Sequence, residues 1–304
     1  MFHNAIVMAT AAAALTIALP ASAADATLQK AWSFNATAAS GLQVDNLMGK
    51  VVVERHAGTG YHVTATVIAS GKDDAAARRL AEALRFETRD AADGQSLKVV
   101  YPLAAYDEFY WADAPGSSWW GTAGVEYLGK RVRLSGDRDD AADVHVDLLI
   151  RVPESANLTV RNPLGSLRAS GVSGKVRLDS AQASQDVQDS AGEFSLDTGS
   201  GQVNVRGFKG RLDVDTGSGD VAVADCDCRL SADTGSGSVR VTASKGALQA
   251  DTGSGDVTVE RHQGSIKADT GSGDVRATQL SAVEELDADT GSGNVHMQGD
   301  LAAL

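Results

Sequence analysis

The sequence predicts an all-β protein, a single-chain parallel β-solenoid of 18-residue coils with a less regular N-terminal part that contains one short helix. The first observation behind this prediction is a repeat, because Asp-Thr-Gly-Ser-Gly occurs six times at steps of 18 or 20 residues. The second is the alternation of apolar and polar residues between the copies, which indicates short β-strands. Such a unit cannot bury its own apolar face, so the coils must stack on one another.

The first 23 residues predict a cleaved signal peptide. They contain no Asp, Glu, Lys or Arg, and an apolar run from Ala5 to Leu19 leads to the small-residue motif Ala21-Ser22-Ala23. We therefore expect an exported protein. No later stretch is apolar enough to span a bilayer, so we expect no transmembrane segment after cleavage.

The N-terminal part, residues 24–160, is predicted to open with one coil-like segment. The stretch from Asp45 to His56 parallels the later repeat from Asp251 to His262, which predicts an atypical first coil beginning near Gly41. An acidic start and strong helix formers predict a short helix over residues 73–85.

Strands and one long loop follow the helix in this prediction. Alternating residues on either side of the turn signal Asp93-Gly94 predict a hairpin of residues 85–89 and 96–101. Residues 102–136 lack strand periodicity and predict a long loop, a kind of segment that is often functional. Apolar alternation then returns and leads into the repeats.

The regular solenoid is predicted to occupy residues 161–304. Positions 18 and 36 residues before Asp197 are Asp179 and Arg161, and both continue the repeat pattern. Together with the six pentapeptide copies they predict eight coils. Each coil has two short strands that place four apolar side chains inward. These side chains are expected to form a narrow core between two facing sheets.

Three groups of residues indicate a family. They are Gly41-Leu42-Gln43-Val44 with Gly49-Lys50-Val51-Val52-Val53, then Leu149-Ile150-Arg151-Val152-Pro153, and the Gly-x-Val-x-Val units of the repeats. In these residues the chain resembles a bacterial family of putative adhesin domains, which are exported β-strand-repeat proteins of largely unassigned function. The resemblance covers most of the mature chain. It implies a single-chain parallel β-solenoid and supplies no catalytic residue. From the predicted export we expect the protein in the periplasm, at the cell surface or outside the cell of a bacterium.

The six pentapeptide aspartates are the most regular acidic feature of the chain. They are Asp197, Asp215, Asp233, Asp251, Asp269 and Asp289. Asp-Thr-Gly-Ser resembles the catalytic loop of aspartic proteases, but a single column of carboxylates lacks the second, facing aspartate of such an enzyme. Stacking at about 4.8 Å makes neighbouring carboxylates repel one another. Two interpretations remain open, in which the side chains either accept N–H bonds of the turn or bind Ca²⁺.

The two cysteines, Cys226 and Cys228, are predicted to lie in one corner of one coil. The sequence leaves open whether they form a local bridge, remain free thiols or link two molecules. No nearby histidine completes a structural zinc site. We expect His262 and the equivalent His56 to be exposed turn residues rather than ligands.

A cluster of aromatic residues gives the strongest indication of a binding site, because seven of the 15 aromatic residues fall within residues 106–127. They are Tyr106, Phe109, Tyr110, Trp111, Trp119, Trp120 and Tyr127. Such side chains are enriched at interaction hot spots, which predicts a surface for an envelope protein or a glycan. The alternative is that they cover a sheet or the open end of the solenoid.

The formal net charge of −13 argues against nucleic acid as a partner. No column of outward residues resembles a catalytic groove. We therefore predict a non-enzymatic adhesin or cell-envelope binding scaffold that needs no cofactor, with Ca²⁺ as the one ion considered. The alternatives are a polysaccharide-active β-helix enzyme and an accessory protein of envelope stress or signalling.

Overall fold

The computed structural model describes residues 25–35, 41–91, 94–112, 124–138 and 141–300. The predicted signal peptide lies outside the described residues. The described residues form 24 β-strands and one α-helix. Parallel stacking of the repeat strands confirms the predicted all-β solenoid.

The N-terminal part contains ten strands and the helix. In chain order, β1 to β10 are Asp25–Asn35, Leu42–Asp45, Met48–Arg55, Gly60–Ser70, Arg85–Ala91, Gly94–Val100, Glu108–Tyr110, Gly124–Tyr127, Lys130–Ser135 and Asp143–Val152. Helix α1 is Asp74–Ala83, and the side chain of its N-cap Asp73 accepts the backbone N–H of Ala76 at 2.7 Å. The predicted helix and the predicted β5–β6 hairpin are both confirmed. Within the described residues, no helix is long and apolar enough to cross a bilayer.

The repeats contain fourteen strands. In chain order, β11 to β24 are Ala156–Arg161, Leu164–Ser170, Ser173–Ser180, Ser184–Gln188, Ala191–Thr198, Val203–Thr216, Val221–Thr234, Val239–Lys245, Leu248–Thr252, Val257–Gln263, Ile266–Thr270, Val275–Leu280, Leu286–Thr290 and Val295–Gly299. β16 and β17 each continue through a corner, so each of them supplies both strands of one coil.

Parallel pairing stacks the coils into two facing sheets. The first sheet runs β1-β4-β10-β3-β12-β14-β16-β17-β18-β20-β22-β24, and the second runs β5-β6-β2-β11-β13-β15-β16-β17-β19-β21-β23. The first halves of β16 and β17 belong to the first sheet, and their second halves belong to the second sheet. These two strands therefore join all 21 strands in one hydrogen-bonded network. Successive coils pair in a register of 18 residues, for example Val221 with Val239, and the last coil pairs at 20 residues.

Residues 42–55 form the first coil, as predicted, but the coil stacked on it comes from much later in the chain. Val44 of β2 pairs with Val160 of β11, and Val51 of β3 pairs with Leu167 of β12. The intervening residues are therefore an insertion at the N-terminal end of the stack. There β10, β4 and β1 extend the first sheet beyond β3, and β6 and β5 extend the second sheet beyond β2.

The inward side chains of the coils fill the space between the two sheets. In one coil they are Val203, Val205, Leu212 and Val214, each at most 3% exposed. Burial of each such side chain contributes about 1.5–3 kcal/mol, so several coils must stack before the core offsets the ordering of the chain. At the C-terminal end no further coil covers the described residues, and Val295 is 44% exposed.

The pentapeptide turn is held by its threonine rather than by its aspartate. Oγ1 of Thr252 accepts the backbone N–H of Gly255 at 3.1 Å and donates to the carbonyl oxygen of Gly237, in the preceding coil, at 2.8 Å. The same pair of bonds recurs at Thr198, Thr234, Thr270 and Thr290. The turn-capping interpretation of the aspartates is corrected accordingly, although Oδ1 of Asp289 does accept the N–H of Thr290.

We expect Thr252→Val to destabilise the protein by about 1–3 kcal/mol. The substitution keeps the shape of the side chain but leaves a buried N–H and a buried carbonyl without their partner. Urea unfolding followed by circular dichroism measures the change. The control is Thr258→Val, on the outer face of the first sheet, where we expect a change within about 0.5 kcal/mol. Equal effects of the two substitutions would contradict the role of the threonine ladder.

A left-handed residue marks the opposite corner of the coils, which the sequence analysis did not predict. Residues with φ between 48° and 68° recur at steps of 18, and only two of the seven are glycine. They are Gly171, Asp189, Gly207, Asp225, Ala243, Arg261 and Gln279. Because most of these residue types disfavour positive φ, stacking on the neighbouring coils must impose this corner.

Candidate functional site

Part of the predicted long loop is a small three-stranded sheet that packs against the first coil. β9 pairs in parallel with β7 and antiparallel with β8. Phe109 of β7 is 1% exposed, and its ring centroid lies 5.9 Å from that of Tyr101 and 6.4 Å from that of Tyr106. The prediction of a structureless loop over residues 102–136 is thus corrected for its described portions.

Tyr127 of β8 fastens the small sheet to the solenoid. Its hydroxyl lies 2.9 Å from the carbonyl oxygen of Asp45 and 2.7 Å from that of Val99, so one proton serves two buried acceptors. Burial raises the pKa of this phenol and of its neighbour Tyr101 well above the ordinary range. Phe109 and Tyr127, predicted as part of a binding surface, therefore belong to the core, because a buried ring cannot contact a partner.

Three members of the aromatic cluster retain exposed surface. Tyr106, Tyr110 and Trp111 are half-buried, and the guanidinium of Arg138 lies 4.6 Å from the ring centroid of Tyr110. Trp119 and Trp120 lie outside the described residues. A binding platform formed by the aromatic cluster stays a prediction. Among the described residues, only these three side chains have the exposed surface that such a platform needs.

The six aspartates form one straight ladder on the outer surface of the second sheet. Each pairs in register with the next along the stack. Burial, and then the charges of Asp251 and Asp215, raise the pKa of Asp233. Burial also raises the pKa of Asp197, although the guanidinium of Arg177, 3.3 Å away, acts in the opposite direction. The ladder is therefore a row of carboxylates that repel one another.

A second acidic column, on the other side of the same turn, links the coils. Oδ1 of Asp256 accepts the backbone N–H of Asp274 in the following coil at 2.9 Å, and Oδ1 of Asp220 accepts that of Ser238 at the same distance. These side chains serve as structural acceptors, which the sequence analysis did not anticipate. Across the described ranges, no three His, Cys, Asp or Glu side chains are grouped so that they could hold a metal ion. Binding of Ca²⁺ by the ladder stays a prediction.

We expect Asp233→Asn to stabilise the protein at neutral pH by about 0.5–1 kcal/mol, since the ladder is exposed and screened by solvent. Because the folded-state pKa of Asp233 is raised, the cost of its charge is fully present above that pKa. The cost is lost as the pH falls toward the ordinary value of 3.8. The gain of the variant should therefore disappear in acid, as urea unfolding at several pH values measures.

The control is Asp256→Asn, which changes the net charge equally and keeps a side-chain oxygen for the N–H of Asp274. We expect this variant to gain less than Asp233→Asn, and an equal gain would mean that only net charge matters.

Millimolar Ca²⁺ tests the cation prediction on the wild type and on a double variant of the ladder. It should raise the melting temperature of the wild type, and Asp251→Asn with Asp269→Asn should remove the increment. An unchanged wild-type melting temperature would contradict Ca²⁺ binding.

The two cysteines form a local disulfide, with their Cα atoms 5.5 Å apart. Cys226 is 2% exposed and stacks in register on Ser244, which in turn stacks on His262. Oγ of Ser244 lies 2.7 Å from Nδ1 of His262, and burial lowers the pKa of this imidazole. His262 is thus a buried, hydrogen-bonded residue and not the exposed turn residue that was expected.

Several shallow depressions on the described surface are open to solvent and lined by both polar and apolar residues. One of them, about 710 Å³, lies at the turn after β3 and is lined in part by Arg55, His56 and Glu154. A depression of about 480 Å³ lies on the first sheet over Ala222 and Ala224. Sites of this form suit extended, hydrated partners better than small apolar ligands, which favour enclosed apolar pockets.

Comparison with known proteins gives one family and several solved structures. The structures include the putative adhesin from Parabacteroides distasonis ATCC 8503, at 11% identity and a TM-score of 0.45, over 88% of this chain and 96% of that chain. They also include the putative cell adhesion protein from Clostridium sporogenes ATCC 15579, at 11% identity and a TM-score of 0.26, over 90% of this chain and 100% of that chain. No curated protein matches the chain.

The family model described as Toastrack DUF4097 matches residues 141–302, which is more than half of the chain. The matched range begins just before β10 and includes every strand of the repeats. This match confirms the family resemblance predicted from the sequence. The chain therefore belongs to the Toastrack DUF4097 family.

Proposed function

We propose that the protein is an exported, non-enzymatic scaffold that binds a partner at the cell envelope, in the manner of an adhesin. The observation that carries the proposal is the outer surface of the stacked coils. Outward residues such as Arg168, Asn204, Arg240 and Arg276 stand in one in-register column along the first sheet. A repeated surface of this kind presents many equivalent contacts to an extended partner.

The arrangement of acidic groups supports a binding role over a catalytic one. A glycosidase-type mechanism needs two carboxylates on opposite sides of a bound sugar. The ladder instead places its carboxylates side by side in one row on the outer face of the second sheet, rather than on two sides of a groove. Asp220 and Asp256 are further engaged by backbone N–H groups of the next coil.

Export and adhesion are tested together in bacteria that produce the full chain with a C-terminal epitope tag. We expect the tagged protein in the envelope fraction, and a variant lacking residues 1–23 in the cytoplasm. Protease added to intact cells should degrade the full-length product if it is displayed at the surface. Cells displaying it should adhere to a glycan-coated surface more than cells carrying the truncated variant.

Each outcome bears on a different part of the proposal. Cytoplasmic residence of the full chain would contradict export. Protection from protease combined with release by osmotic shock would restrict the protein to a periplasmic scaffold and contradict adhesion. Display at the surface without any gain in adherence would remove the adhesin role.

A further inference from the structure

A shallow trough lies on the outer face of the first sheet, above the first half of β17. Its floor is formed by Ala222 and Ala224, the two outward residues of this stretch of β17, and its volume is about 480 Å³. Longer side chains on the neighbouring strands β16 and β18 form the walls, namely Asn204, Arg206, Arg240 and Thr242. Because the walls stand two strand spacings apart, the trough is about 9.6 Å wide between backbones and runs along one strand.

Two guanidinium groups give the trough a local positive charge in a protein of net charge −13. Arg206 and Arg240 stand on opposite walls. In the described part of the chain no carboxylate is within ion-pair distance of Arg206, and Arg240 lies 3.7 Å from the half-buried Glu260. At physiological ionic strength charges are screened over about 8 Å, so a ligand in the trough interacts mainly with these two cations and little with the aspartate ladder on the other sheet.

One more acid lies at the rim of the trough without cancelling this charge. Asp186 belongs to the strand beyond Asn204, and its carboxylate is 3.5 Å from the guanidinium of Arg168. The trough therefore favours an anionic ligand, and guanidinium groups pair well with carboxylates.

The form of the ligand follows from the floor and from the strand pairing. β17 is hydrogen-bonded to β16 on one side and to β18 on the other, so a peptide cannot add to it as an extra strand. The alanine methyl groups offer a flat apolar strip, while the Asn204 amide and the Thr242 hydroxyl supply a donor and an acceptor on either side. This combination suits a sugar ring, which has apolar faces and hydroxyl groups at its edges.

We infer that the trough binds one chain of a carboxylated polysaccharide, with its carboxylates on Arg206 and Arg240 and a sugar face on Ala222 and Ala224. The inference rests on the proposed adhesin function and names the chemical class of its partner.

Calorimetry on purified residues 24–304 tests the inference with polygalacturonate as the probe. Neutral dextran serves as the uncharged polysaccharide and polyglutamate as the anionic peptide. We expect binding of polygalacturonate only. Arg206→Gln and Arg240→Gln should each weaken it about tenfold, in line with the loss of a charged hydrogen bond at an exposed site. Ala222→Gln, which fills the floor, should abolish it.

The matched control is Arg276→Gln, which removes the same charge from the same outward column two coils beyond Arg240. We expect less than a twofold change for this variant, and circular dichroism should give wild-type folding for all four. An equal loss with Arg276→Gln, equal binding of dextran or polyglutamate, or no binding of polygalacturonate would each overturn the inference. Because this assay uses purified protein, its failure is distinct from a failure of export or adhesion on cells.

Discussion

A chain that lacks residues 233–250, one complete coil, folds into a solenoid that is one coil shorter. Each coil contacts only its neighbours, and the deletion brings Asp251 into the register position that Asp233 occupied. The deletion removes the buried hydrogen bond between Ser244 and His262, which costs about 1 kcal/mol, and the weaker ion pair between Arg240 and Glu260. Thermal unfolding followed by circular dichroism should remain cooperative.

Deletion of half a coil, residues 242–250, has the opposite expected result. Removal of nine residues brings Val257 to the position of Leu248 and Ile266 to that of Val257, so the inward apolar columns keep their face. The two kinds of corner change places instead. Arg261 then occupies the buried position of Thr252, and the hydrogen bond from Thr252 to Gly237 is lost, at a combined cost of several kcal/mol. Equal melting curves for the two deletions would contradict the stacked-coil architecture.

Phe109→Ala has the largest expected effect of any single substitution considered, a destabilisation of about 3–5 kcal/mol. The ring is 1% exposed and packs against Tyr101, so its removal leaves a cavity where the small sheet meets the first coil. All four tryptophans precede residue 161, so their fluorescence reports unfolding of the N-terminal part while far-ultraviolet circular dichroism reports the whole chain. The fluorescence transition should move to lower urea.

Two controls separate this core role from a binding role. Tyr110→Ala removes a half-buried ring from the same strand and should cost about 1 kcal/mol or less. Tyr127→Phe should cost about 1–3 kcal/mol, because two buried carbonyl groups lose their donor. A loss of stability below about 1 kcal/mol for Phe109→Ala would contradict the core role. It would indicate that Phe109 lies at the surface, as the predicted aromatic binding platform requires.

The solenoid was predictable because its period repeats in the sequence and each period has the same alternation. The insertion after the first coil was not, because alternation identifies a strand but not its partner. Nothing local indicates that β3 pairs with β12 more than a hundred residues later while β10 lies on its other side. The left-handed corner was also hidden, since residues such as Ala243 and Arg261 give no turn signal.

The alternation of inward and outward residues does predict which way the threonine and the aspartate of the pentapeptide turn point. Leu212, Val214 and Thr216 follow at steps of two, so the threonine shares the inward face and Asp215 must point outward. The aromatic cluster offered no such signal, because the density of rings along the chain does not distinguish a core from a surface. Phe109 and Tyr127 are buried only because their short strands pack on Tyr101 and the first coil.

The central claim is that 18-residue coils stack in register and form the outer surface of the first sheet. Distances between spin labels on the first sheet test it most directly, with labels on introduced keto amino acids that leave the Cys226–Cys228 disulfide intact. Arg168 and Arg240 are four coils apart, as are Asn204 and Arg276, whereas Arg168 and Arg276 are six coils apart. The stack predicts backbone distances of about 19 Å for both four-coil pairs and about 29 Å for the six-coil pair. Unequal distances for the two four-coil pairs, or a six-coil distance no longer than the four-coil one, would contradict it.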